Sequence, residues 1–498
     1  MAKKGAIIGS GLGGLSAAIR SAHSGFKVDV FEENSNAGGK ANQFLVDGFR
    51  FDLGPSLLTM PFVIQNLFDD VDEKLEDYLT LRKLDVICKY YYSDGTIINV
   101  YPDPEKTATE IAKKTYDKKL SVTKYLKYCK KIYDLTSELF LFKDFSDPKT
   151  FLNFKALKTL LQINKIDPFR SMHQANSSFF HDPKTIQLFD RYATYNGSNP
   201  YKAPATLNII QHVEIGLGGF VPEGGIYSIS KALHNLAIKK GVNIHFNSKV
   251  EKIISEKNSV NGIRVNGNDL EYDFVVSNAD VNKTYKELLE DKKLKSAVKY
   301  SKLTPSTSAL VFYWGMKVDD SDLEIHNILF SENYKKEFSQ LFEEKRCPDD
   351  PTIYIYISSK YNNEDAPEGY ENWYVMINAP YIEEQNWEEE IAFAKKNILD
   401  KIKSILGIDL SNKIVTEKIV SPVDIERLTG SDKGSLYGIS SNSRNAAFLR
   451  QANKSKELNH LYFCGGSAHP GGGIPLVLLS GKIAAESIIK TEKLLADN

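Results

Sequence analysis

Gly9, Gly11 and Gly14 stand in the spacing G-x-G-x-x-G within the run GSGLGG, and Glu32 follows eighteen residues after the last of them. Residues of these types at this spacing can hold a dinucleotide. Gly9 permits a tight turn, Gly11 lets a pyrophosphate approach the backbone, and Gly14 lets a helix pack closely on a strand. A helix that begins at such a loop turns free N–H groups and the positive end of its dipole toward the phosphates. The Glu32 carboxylate is placed to accept from ribose hydroxyls and would repel a 2′-phosphate, which disfavours NADP. A glycine loop alone is weak evidence, because glycine turns are common. What strengthens it is the context: an apolar strand over Lys4 to Ile8, a helix from Leu15 to Ser24 with Leu15, Ala18, Ile19 and Ala22 on one face, and a second strand from Lys27 to Phe31.

Three later segments carry features of the same kind. Gly38-Gly39-Lys40 is followed by DGFRFDLGPS, which contains Gly54 and Pro55. A strand at Phe274-Val275-Val276 enters Ser277-Asn278-Ala279-Asp280, after a hairpin from Val250 to Tyr272 that turns at Asn258 and at Asn266-Gly267. Near the C-terminal end, strand Leu461-Tyr462-Phe463 runs into CGGSAHPGGGIP, with an apolar helix from about Leu476. So many glycines between a strand and a helix bring backbone N–H groups next to a ligand. By contrast GLGGFVPEGG, from Gly216 to Gly225, lacks a glycine at position 221 and reads as a flexible connection.

Taken together, GSGLGG, GGKAN…DGFRFDLGPS, VVSNAD and GGSAHPGGGIP resemble the amine-oxidase and phytoene-desaturase superfamily of flavoproteins over nearly the whole chain. The form of the last loop and the strand SALVFYWG are most similar to the branch that carries out 3,4-desaturation of 1-hydroxycarotenoids. The resemblance implies FAD as cofactor and a binding set of Gly9, Gly11, Leu12, Gly13, Gly14, Glu32, Gly38, Gly39, Lys40, Gly54, Pro55, Val250, Asn278, Gly466, Gly473 and Ile474. In that family the second glycine pair and a basic residue lie beside the flavin diphosphate, and a strand valine such as Val250 meets the adenine. The usual basic residue is Arg; Lys40 is a departure that cannot form a bidentate fork.

The implied fold is α/β: a Rossmann-type FAD-binding domain from discontinuous segments, 1–80, 215–300 and 415–498, with a mixed α+β substrate domain from 81–214 and 301–414. The implied reaction is transfer of hydride from an allylic C–H of a bound polyene to flavin, with loss of a proton from the neighbouring carbon. A phytoene desaturase, a flavin amine oxidase, an isoprenoid saturase and a non-enzymatic prenyl-binding chaperone of the same fold are the alternatives. Positioning and exclusion of water are the main demands on the protein. No acid–base constellation stands out, so no catalytic residue is assigned; His173, His181, Glu214 and His469 are conceivable proton acceptors, His469 reading first as a loop-shaping residue.

Two stretches lie between the nucleotide segments. Tyr101 to Ala203 is mostly helical, and Leu139 to Leu161 mixes Phe140, Phe142, Phe145 and Phe151 with Lys143, Lys149, Lys155 and Lys158. A helical part at about 120–185 is therefore a candidate for an anionic membrane surface, or equally for packing on the protein's own core. Ser308 to Tyr381 holds three strand-like runs, Ala309 to Met316, Thr352 to Ser358 and Trp373 to Ala379. In the middle run Tyr354 and Tyr356 alternate with Ile353, Ile355 and Ile357, so one face presents tyrosines and the other isoleucines. Phe312 and Trp314 likewise share a face. Such a sheet could line a long apolar channel.

Composition sets outer limits. The 498 residues exceed one ordinary core, which predicts two or three domains. Sixty-three basic and sixty-four acidic residues leave no global field to recruit nucleic acid. Four scattered cysteines suggest neither a metal site nor a disulfide framework, and fit a reducing compartment. No run of about 18 uncharged apolar residues occurs, and the first residues read as a strand rather than a signal peptide. The expected setting is the inner face of the cell membrane, bound peripherally, with oxygen or a quinone as electron acceptor and a long carotenoid as substrate.

Overall fold

The computed structural model describes residues 2–143, 165–289, 294–318, 321–443 and 450–494. Its first sheet has five parallel strands in the order Leu461–Phe463, Phe274–Ser277, Lys4–Ile8, Lys27–Phe31 and Asn243–His245. Strands from distant chain segments thus pair directly, Gly5 with Phe274, Asp29 with Asn243 and Val275 with Leu461, as the dispersed strand-to-loop motifs require. Helix Leu12–His23 is buried along nearly its whole length between this sheet and helix Ile474–Leu494. The two helices approach so closely that a Cβ on Gly481 would come within 2.3 Å of the Gly13 carbonyl. Ser16 Oγ crosses the same contact to donate to the Leu478 carbonyl at 2.7 Å.

The second sheet has seven strands in the order Ile414–Val420, Ser308–Lys317, Tyr370–Ala379, Ile353–Ile357, His326–Leu329, Cys88–Tyr91 and Ile97–Val100. Strand Ile414–Val420 belongs to this sheet and not to the nucleotide sheet. Alternation sorts the side chains cleanly. Leu310, Phe312, Trp314, Ile353, Ile355, Trp373, Val375 and Ile377 face helix Trp387–Leu406, which meets them with Ala394, Ile398 and Ile402 at helical spacing. Ala309, Val311, Tyr313, Tyr356 and Tyr374 form the core of the other face, with Tyr354 and Met376 packed against it. The tyrosine and isoleucine faces are therefore divided as the alternation predicts. Phe312 and Trp314 do share a face, with ring centres 5.6 Å apart, but it is the helix-covered one and lines no channel.

A helical lobe covers the far edge of this sheet. Helix Lys119–Phe140 buries Val122, Tyr125, Cys129 and Ile132, and Tyr125 packs on Phe179, Phe180 and Phe189. Its apolar face is thus turned toward the protein's own core. Residues 144–161 of the stretch considered for a membrane surface lie outside the described residues. The run Gly216 to Gly225 is not the flexible connection expected: His212–Gly216 is a wide helical turn, and Phe220–Pro222 is a strand paired with Leu81–Lys83. Phe220 and Val221 explain this: Val221 is buried and Phe220 packs against the core of the nucleotide-binding part, while their backbone pairs with Lys83 and Arg82. All four cysteines are buried and unpaired, and among the described residues no helix is long and apolar enough to cross a membrane.

Candidate active site

The glycine loop leaves strand Lys4–Ile8 at the middle of the parallel sheet. Gly9 takes φ 91°, and a Cβ on Gly14 would lie 2.2 Å from the Gly9 carbonyl, so both positions need glycine for the reasons the spacing implies. Helix Leu12–His23 starts at Gly11 with no side-chain cap and no acid in its first turn. Gly11, Leu12 and Gly13 border a cavity of about 780 Å³, while Gly14 lies behind them in the helix–strand contact. Helix Ile474–Leu494 opens on the same cavity through Gly473 and Ile474. Two helix N-termini, the first of them without a side-chain cap, therefore face one space, an arrangement suited to an anion.

Glu32 is buried at the end of strand Lys27–Phe31 and borders the cavity with Val250 and Asn34. One of its oxygens accepts from the Ser10 N–H and hydroxyl, both at 2.8 Å. The other accepts from the Asn34 backbone N–H at 2.9 Å and its side-chain amide at 2.8 Å. Its acceptor sites are thus occupied, and a ribose hydroxyl must displace one of the two side-chain donors.

The second glycine pair sits directly over the first loop. Gly38 donates to the Ser10 carbonyl at 3.0 Å, and Gly39 follows at φ 57°. The next turn, at Gly54 and Pro55, packs on the Lys40 backbone and borders the same cavity. Lys40 Nζ donates to the carbonyls of Leu436 at 2.8 Å and Ser435 at 3.3 Å. Burial pushes its ammonium down to about 8, an effect that nearby Asp280 only partly opposes. Asp280 itself is raised by burial and by Asp432. Asn278 does more than pass the cavity: its side chain lies between Gly9, Gly13 and Gly465, so it straps the N-terminal and C-terminal glycine loops together.

The cavity continues from this cradle across the tyrosine face of the seven-stranded sheet, along Ala309, Val311, Tyr354, Tyr374 and Met376, and into the helical lobe at Phe140, Ile166, Leu207, Ile210 and Val213. Its exposed lining is mainly apolar. Of the four conceivable proton acceptors, two are away from it. His173 holds Asp190 at 2.7 Å and His181 is exposed. His469 borders the cavity but is tied into its loop, its N–H donating to Gln451 and its carbonyl accepting from Asn453. Glu214 also borders it, fully buried, accepting from the hydroxyls of Tyr192 and Tyr195 and lying 3.5 Å from Arg191.

The family model described as flavin-containing amine oxidoreductase matches residues 12–489 of this chain. The chain belongs to that family. Among its curated relatives is the 1-hydroxycarotenoid 3,4-desaturase of Flavobacterium sp. (strain P99-3), 45% identical over 98% of this chain and 99% of that protein. The 4,4'-diaponeurosporene oxygenase of Staphylococcus haemolyticus (strain JCSC1435) is 35% identical over 98% and 97%. Solved structures share the fold at low identity. A putrescine oxidase variant gives a TM-score of 0.65 at 12% identity over 98% of this chain and 99% of its own. The cyclohexylamine oxidase of Brevibacterium oxydans gives 0.63 at 12% over 99% and 100%.

As a member of this family the chain is a flavin-dependent oxidoreductase, and its cofactor is FAD. The residues present fit that group. The paired helix N-termini suit a diphosphate, Glu32 and Val250 stand where a nucleoside would lie, and Gly466 and Gly473 leave open backbone on the way to the apolar part. Two supporting residues carry no sequence signal of their own. Arg450 donates to the carbonyls of Tyr437, Ile439 and Gly466, and Asn453 to those of Phe463, His469 and Ser480, so together they fix the C-terminal glycine loop. Neither lies in a recognisable motif. Only the number of bare carbonyls in a glycine-rich loop hints that such donors must exist.

Proposed function

We propose that the chain is a carotenoid desaturase that introduces a C=C bond into a polyene, acting on 1-hydroxycarotenoids at the 3,4 position. The observation that carries this reading is the full-length likeness to the Flavobacterium enzyme. The cavity supports it: one continuous space joins the nucleotide cradle to a mainly apolar passage. When bound, FAD supplies the acceptor for the hydride that leaves a saturated carbon of the substrate. The sheet's tyrosine face and the helical lobe hold the polyene against that end of the cradle and exclude water. Tyr354, Tyr374 and Met376 supply flat or adaptable contacts suited to a rigid conjugated chain.

Peripheral attachment to the cytoplasmic face of the membrane, and oxygen or a quinone as final acceptor, belong to the same proposal. The substrate's insolubility supports the first, as does exposed Phe169 beside Ile166 and Pro168, which border the cavity in the helical lobe. Liposome flotation tests it.

The decisive experiment incubates the flavin-loaded protein with phytoene and, separately, with a 1-hydroxylated carotenoid. Extracts are read by absorption and mass. Loss of two hydrogens with a red shift from the hydroxylated substrate alone is the expected result. Conversion of phytoene would place the enzyme earlier, among phytoene desaturases. A product that gains oxygen would favour the activity named for the staphylococcal relatives, and no conversion of either would overturn the reading.

A further inference from the structure

The polyene cavity contains a polar cluster that a hydrocarbon would leave unsatisfied. Arg191 donates to the Tyr90 hydroxyl at 2.6 Å, and its guanidinium packs over the rings of Tyr90, Tyr192 and Tyr195. Glu214 balances its charge. His326 Nδ1 is 2.7 Å from the Tyr354 hydroxyl, which is 2.6 Å from Ser56 Oγ. Yet Arg191 Nε, His326 Nε2 and the Tyr334 hydroxyl have no hydrogen-bond partner among the described residues. All three residues border the cavity and are more than nine-tenths buried. They belong to one neighbourhood: Tyr90, bonded to Arg191, stacks on Phe330, which packs edge-on against Tyr334, and Tyr90 also pairs across the sheet with Ile328, two residues from His326. Buried polar atoms are rarely left bare without a purpose.

The chemistry of the cluster limits what can complete it. Arg191 offers only a donor, a tyrosine hydroxyl both donates and accepts, and a neutral imidazole nitrogen does one or the other. Burial and Arg191 hold His326 down to about 3, so it is uncharged at ordinary pH. An amine would meet the Arg191 cation, and a carboxylate would meet Glu214. An uncharged alcohol can accept from one of these groups while donating to another. We propose that Arg191, His326 and Tyr334 form the subsite for the hydroxyl end of the polyene and so fix which carbon pair is presented for oxidation. This rests on the desaturase reading and adds the recognising residues. In a 1-hydroxycarotenoid only one carbon separates the hydroxyl-bearing carbon from the 3,4 pair, so the subsite must lie near the cofactor. Ser56, next after Gly54-Pro55 and bonded to Tyr354, makes that link.

The test measures kcat/KM for a 1-hydroxylated polyene and for its counterpart without the hydroxyl, in the wild-type holoenzyme, Tyr334→Phe and His326→Leu. Tyr334→Phe removes a single atom that has no partner, so folding is not at stake; bound flavin is measured as a control. Wild type is expected to favour the alcohol by roughly 100-fold or more. Each variant should narrow that ratio by about tenfold, with the loss falling on the hydroxylated substrate. An unchanged ratio in both variants would overturn the subsite, as would a wild type that converts both polyenes equally well. Those results leave desaturation standing. Conversion of neither substrate by wild type would instead remove the desaturase reading, and this inference with it.

Discussion

In the nucleotide cradle the groups offered to a ligand are backbone N–H groups exposed by glycines, whereas over the seven-stranded sheet they are side chains brought from distant segments. The cradle's key positions lie within a few residues of one another at Gly9 to Gly14, Gly38 to Lys40 and Gly465 to Ile474, strapped by Asn278. The apolar passage draws on strands at 309, 326, 354 and 374, on the helical lobe, and on Arg191 and Glu214. A backbone site is specified by what a position cannot carry, so one added methyl group is decisive. A side-chain site is specified by what it does carry, and it tolerates gradual change.

The sharpest way to break this contrast is Gly11→Val. A Cβ at Gly11 would lie 2.9 Å from Asn278 Nδ2, and the branched side chain would occupy the pyrophosphate approach. The purified variant should be folded by circular dichroism and colourless, with flavin absorbance lost. Copurification of stoichiometric flavin would show that the cradle lies elsewhere.

Next in size is a pair of substitutions one residue apart. Ile377 is fully buried beneath helix Trp387–Leu406, and Met376 borders the cavity. Ile377→Ala should cost about 2–5 kcal/mol in denaturant unfolding, through lost burial and a residual cavity. Met376→Ala should leave unfolding nearly unchanged and raise KM for the polyene several-fold. If the two effects were exchanged, the assignment of the sheet's faces would be reversed.

These two cases also show what a sequence can reveal. Gly9 and Gly14 are readable because a left-handed turn and a 2.2 Å approach admit one residue type, which leaves a spacing. The division of Tyr354 from Ile355 is readable because a strand's period is two. Which face becomes the passage is not readable, since that depends on helix Trp387–Leu406 covering the isoleucine side. Hence Phe312 and Trp314 pointed correctly to a shared face and wrongly to the channel. Arg191, His326 and Tyr334 leave no mark at all: Arg191 stands more than a hundred residues before the other two, which share no motif, and only the fold brings them together. The strap role of Asn278 escapes for the same reason, as it depends on two loops nearly two hundred residues or more away from it.

Glu32 joins the two kinds of site, being a side chain that organises backbone. Glu32→Gln keeps the shape but turns one acceptor into a donor facing either Ser10 or Asn34, whose N–H groups now point at it. A loss of about 2 kcal/mol in stability is expected from the stranded donors, together with weaker flavin retention on dilution. Unchanged stability would mean that Ser10 and Asn34 find other acceptors, and that the carboxylate is held for the ligand alone.

The last effect concerns Lys40 and is a matter of slope. Its ammonium is pushed down to about 8 from an ordinary 10.5. Between those values the unfolded chain keeps a proton that the native flavin-free protein has released, so stability rises with pH across that window. Below about 8 both states are protonated and the contribution is flat. Lys40→Met removes the group, and the difference between wild type and variant in urea midpoint should therefore grow in favour of wild type from about pH 8 to pH 10. An anionic diphosphate beside Lys40 would hold it charged, so loading with FAD should flatten the slope. A slope that persists unchanged in the holoenzyme would place the diphosphate away from Lys40, leaving its bonds to Ser435 and Leu436 as the residue's whole role.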